Sequence, residues 1–75
     1  MREIRLNAKE HERFLKAMEQ KMSEQDLSIE SLAKEIGVKK QSIYNFRKDT
    51  SRNPSRFISA KIANRLGLTP RDWRF

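Results

Sequence analysis

The sequence predicts an all-α fold, a compact bundle of about five short helices, and three observations predict it. Apolar residues recur at helical spacing through most of the chain. Two glycines and two prolines in 75 residues leave too few turn-formers for a many-stranded fold. With no cysteine and one histidine, neither disulfides nor a thiolate or histidine metal cluster staples the chain, so packed helices must supply the core. This length makes one small domain, residues 1–75, with a modest buried core. No apolar run approaches the ~20 residues of a membrane span. The start, MREIRLNAKEHERF, is too charged for a secretory signal. The expectation is a soluble, cytoplasmic protein with no membrane partner.

Residues 1–6, MREIRL, read as a frayed, flexible arm. The sharper alternative is a short strand, with Ile4 and Leu6 on one face, pairing across a dimer. Asn7 followed by Glu10 forms a capping-box pattern, which starts the first helix at about Ala8 and carries it to Ser23. His11, Phe14, Leu15, Met18 and Met22 form its apolar stripe. The methionines read as core filling and His11, at the edge of the stripe, as a boundary residue with no catalytic partner.

Gln25-Asp26-Leu27 is the link to the second helix. Ser28 caps that helix, expected over Ile29 to Ile36, and Ile29, Leu32, Ala33 and Ile36 are its inner face. Gly37 ends it, because glycine takes the left-handed conformation without steric cost, and Val38 then turns inward.

The third helix is expected over Lys40 to Arg47. At about 100° per residue, Lys40, Gln41, Tyr44, Asn45 and Lys48 cover one arc of about 140°, with Ile43 and Phe46 opposite. An ordinary solvated helix face mixes glutamate with lysine. This one combines amides, a phenol and lysines with no acid. Side-chain amides pair with adenine N6 and N7, and lysine donates to guanine O6 and N7, so the face suits a DNA major groove.

The polar loop Asp49 to Asn53 leads to a fourth helix opened at Asn53-Pro54 or Ser55, with Pro54 tolerated in its first turn. Phe57, Ile58, Ile62, Ala63 and Leu66 are its expected buried stripe, Gly67 its stop and Leu68 the apolar contact after it. Thr69-Pro70 starts a fifth, one-turn segment. Trp73 is expected in the core; Phe75 is left open between the core and a contact with a second copy.

Charge sharpens the picture. The net charge is +7, but residues 1–38 carry seven basic and eight acidic side chains, a sum of −1. Residues 39–61 carry seven basic side chains and one acid, a sum of +6. A field concentrated around one helix and the loop after it is an electrostatic footprint that suits nucleic acid, with a membrane surface or an acidic protein left open by charge alone.

Two short helices joined by a tight turn are the geometry of a helix-turn-helix, here residues 28–48. The stretch SLAKEIGVKKQSIYNF resembles the helix-turn-helix of the phage repressor and Cro type, the Xre-like family. Leu32-Ala33, Ile36-Gly37-Val38, Gln41-Ser42-Ile43, and Pro54 followed by IANRLGL carry the resemblance, over roughly residues 10–73. It implies a lambda-repressor-like fold. By position it implies that Lys40, Gln41 and Asn45 contact bases, with Tyr44 on the same face touching a thymine methyl or a phosphate. It also implies phosphate contacts from Ser28 and Ile29 at the start of the second helix, and from Arg52, Ser55 and Arg56 around the start of the fourth. Lys39, Arg47 and Lys48 join the phosphate contacts.

The chain departs from the family pattern in places. Lys39 stands where many members have a serine or threonine cap, and Asp49 where many have glycine. The stretch from Pro54 to Gly67 is slightly longer than usual. Some members pair an arginine of the first helix with a glutamate ending the third. The corresponding residues here are Met22 and Arg47, so that pair is expected to be absent, leaving Arg47 to Glu19, Glu24 or a phosphate.

The implied function is a sequence-specific transcription regulator, a repressor acting by promoter occlusion. It would bind a palindromic double-stranded DNA operator as a homodimer, bacterial or phage-encoded. The alternatives are an antitoxin-like or regulatory protein-interaction module, and a DNA-targeting fragment of a larger regulator or recombinase. A lone histidine, no glycine-rich phosphate loop and no paired carboxylates argue against an enzyme, and no cofactor or metal is expected.

Overall fold

The computed structural model describes residues 4–48 and 56–74, without the Arg56 side chain. Among these residues the fold has no strand and four α-helices: α1 (Ala8–Glu24), α2 (Ile29–Ile36), α3 (Lys40–Lys48) and α4 (Arg56–Leu66). The expected fifth helix is a single 3-10 turn, Pro70–Asp72, with Pro70 at its start and the Asp72 carboxylate accepting from the Thr69 N–H at 2.7 Å. The expected opening of α4 at Asn53 to Ser55 lies outside the described residues.

Local chemistry sets the ends. Asn7 and Glu10 form the reciprocal capping box, at 2.8 and 3.0 Å. Ser28 Oγ accepts from the Ser31 N–H at 3.2 Å. Gly37 and Gly67 both have φ of 76°, and each is followed by a residue whose N–H returns to the last turn of its helix, Val38 to Ala33 and Leu68 to Ala63. Asp26 does the same after α1 without being glycine, at φ 52°. A non-glycine residue is disfavoured in this region. Asp26→Gly is therefore expected to raise stability by about 0.5–1 kcal/mol, read as a higher midpoint in urea unfolding.

The core is one cluster drawn from every helix. α1 packs on α4 and on the 3-10 turn, α2 on α3 and α4, and α3 on α4. A row of rings crosses it: Trp73 to Phe14 at 5.3 Å, Phe14 to Phe46 at 5.7 Å, and Phe46 to His11 edge-on at 4.9 Å. Trp73 is buried as expected; Phe75 lies outside the described residues.

Three expectations are corrected. Leu6 is buried in the core and Ile4 packs against it, so the segment ahead of α1 is neither frayed at these residues nor a strand. His11 is no boundary residue: it is 1% exposed, and its Nε2 donates to the Phe46 carbonyl at 2.8 Å. Phe57 is 56% exposed, while Ser59, Ala60, Ile62, Ala63 and Leu66 are buried. The physical reason lies in helix phase. Positions 59, 62, 63 and 66 follow the i, i+3, i+4, i+7 rule, whereas Phe57 stands about 140° from Ile62 at 100° per residue.

Candidate nucleic-acid interface

The turn at Gly37 and Val38 sets α3 across α2, and Ile43 and Phe46 anchor α3 in the core. That anchoring turns the opposite arc outward. Lys40, Gln41, Tyr44, Asn45 and Lys48 are all exposed, Tyr44 at 39%. No residue of α3 is acidic. Gln41 Nε2 donates to Asn45 Oδ1 at 3.1 Å, one turn along the helix, which links two of the expected base-contacting amides into one unit.

Residues expected at phosphates surround this row. Ser28 caps α2 with its hydroxyl, and Ile29 packs its side chain against the core, so the backbone N–H groups are what this helix start offers an anion. Lys39 is exposed just before α3, and its carbonyl accepts from the Ser42 N–H at 3.0 Å. Arg56 is the first residue of α4, its side chain undescribed, and Arg52 and Ser55 lie outside the described residues.

Arg47 is already engaged. Its guanidinium donates to Glu19 of α1 at 2.8 Å, one of the partners open to it from the sequence. The first and third helices are thus joined by an ion pair of reversed charge one turn before Met22, at a partner the sequence left open. Beside it, Leu15, Glu19, Tyr44, Arg47 and Lys48 line a shallow open hollow between α1 and α3. A further clamp ties α4 to α2: Arg65 donates to Glu35 at 2.8 and 3.2 Å and to Gln25 at 2.8 Å.

Glu30 was missed. It lies in the first turn of α2 and takes Lys40 Nζ at 3.2 Å, placing a carboxylate against the otherwise acid-free row. An acid in a first turn reads simply as a complement to its own helix dipole, which is why the sequence pointed nowhere else. Among the described residues, no group of histidine, cysteine, aspartate or glutamate is placed to hold a metal ion, and no helix is long and apolar enough to cross a membrane.

A short helix pair crossing at a glycine turn, with the second helix anchored on one face and polar on the other, defines the class of helix-turn-helix proteins. Residues 18–73 match the helix-turn-helix family, and the chain belongs to that family in its Xre-like, lambda-repressor type. The family is one of DNA-binding transcription regulators. A search of curated proteins and of solved structures found no match.

Proposed function

We propose that this protein is a sequence-specific transcription regulator that docks α3 in the major groove of double-stranded DNA and represses by occluding a promoter. The outward, acid-free row of α3 carries this reading. Lys40, Gln41, Tyr44 and Asn45 meet bases. Ser28, Ile29, Lys39, Arg47, Lys48, Arg52, Ser55 and Arg56 meet phosphates, Arg47 after exchanging Glu19. Phosphate contacts set affinity and register, and the α3 side chains set sequence choice. One such helix reads only a few base pairs, so residues 1–75 act as a single domain in a homodimer on a palindromic operator, with half-sites about one helical turn apart. A bacterial or phage origin and a cytoplasmic location go with this role.

Selection of bound sites from a random DNA pool tests the proposal. A palindromic consensus is the expected outcome. On the selected site Gln41→Ala is expected to cost about 1–3 kcal/mol and to relax base choice at one position per half-site. Equal losses on selected and random DNA, measured by titration, would remove Gln41 from the base readers. The exposed Phe57 favours one second reading, a protein-interaction module on the same fold. A pool with no enriched sequence would support it instead.

A further inference from the structure

Lys40 sits where a cation is least comfortable. It opens α3, whose first turn holds no acid and whose positive dipole end disfavours added positive charge, and Lys39 stands directly before it. Glu30 of α2 supplies the missing anion, 3.2 Å from Lys40 Nζ. Both side chains stay open to solvent, Glu30 at 70% and Lys40 at 56%, so the pair faces outward with the reading row.

The chemistry of that pair differs from that of a free lysine. A lone ammonium condenses on any phosphate and gains affinity regardless of sequence. A lysine paired with a carboxylate carries no net charge to a phosphate, yet its ammonium has three donors and Glu30 occupies one. The others remain for neutral acceptors. Beside them, the carboxylate keeps lone pairs for a donor. Donors next to an acceptor complement one base-pair edge in the major groove: guanine O6 and N7 beside the cytosine N4 amine.

Resting on the DNA-binding reading above, we infer that Glu30 is a specificity residue. It converts Lys40 from a general phosphate anchor into half of a Glu30–Lys40 couple that reads one G·C pair in each half-site. The acid lowers binding to random DNA and raises discrimination in the same contact.

The test compares the full chain with Glu30→Gln, Lys40→Met and the double variant by titration on random and selected duplexes across a salt series, with circular dichroism as the fold check. Glu30→Gln frees one lysine for phosphate. It is expected to steepen the log–log salt slope on random DNA by about 0.9, which is up to about eightfold in affinity at 0.1 M salt. In a repeated site selection it is expected to lose the G·C preference at one position of each half-site. On the Lys40→Met background the same substitution is expected to leave the slope unchanged. A slope change of equal size in both backgrounds, an unchanged slope, or a retained G·C preference overturns the inference while leaving DNA binding intact. A wild-type chain that enriches no site overturns the DNA-binding reading and this inference together.

Discussion

Phe46→Ala is expected to remove a large share of the stability of the fold. Phe46 is 3% exposed, meets Phe14 and His11 edge to face, and anchors α3 to the core. Removing a buried phenylalanine ring costs about 3–5 kcal/mol in transfer and cavity terms. A domain of this size holds only about 4–11 kcal/mol in total. The melting temperature should fall by about 15–30 °C in a far-ultraviolet circular dichroism melt. Phe57→Ala is the matched control. Its ring is 56% exposed, so its cost should stay within about 0.5 kcal/mol. A Phe46→Ala melt within a few degrees of wild type would mean that α3 presents a different face to the core.

His11→Ala is expected to cost about 2–4 kcal/mol. The Phe46 carbonyl lies in the last turn of α3, where no later backbone N–H among the described residues reaches it, and His11 Nε2 satisfies it at 2.8 Å inside the core. The bond requires the hydrogen on Nε2, since the carbonyl can only accept. Alanine leaves that carbonyl without its donor, a cost of about 1–3 kcal/mol, and removes the edge-on ring contact, worth about 0.5–1.5 kcal/mol. His11→Leu separates the two contributions: it fills space but donates nothing, so it should recover part of the alanine loss in a urea titration. Full recovery by leucine would show that the hydrogen bond contributes no stability.

These two residues mark where the sequence was legible and where it was not. The caps at Asn7, Ser28, Gly37 and Gly67 are local chemistry, written within a few residues, and each is found in place. The α2 and α3 stripes were equally plain, because apolar and polar residues segregate sharply there. Other features depend on contacts far apart in the chain. His11 meets a carbonyl 35 residues away, and Arg47 and Glu19 are 28 residues apart. Leu6 shares only a two-residue alternation with Ile4 ahead of a cap, too short a period to announce its burial. Phe57 is a different case: its position about 140° from Ile62 is present in the spacing, and helix phase rather than the size of the ring decides its exposure. At the interface, the outward row followed from periodicity, while the acid that faces it did not, since Glu30 belongs to another helix.

The division of labour along α3 makes the helix a cassette with a definable edge. Lys40, Gln41, Tyr44 and Asn45 point away from the core, while Ile43, Phe46 and Arg47 tie the helix to the rest of the fold. New side chains grafted at the four outward positions should inherit the existing scaffold with little loss of stability. A graft that also brings a glutamate to position 47 would set it against Glu19, so that residue must be exchanged with it. Glu30 belongs to the cassette even though it lies outside α3, because a transplanted Lys40 without it would arrive as a different chemical group.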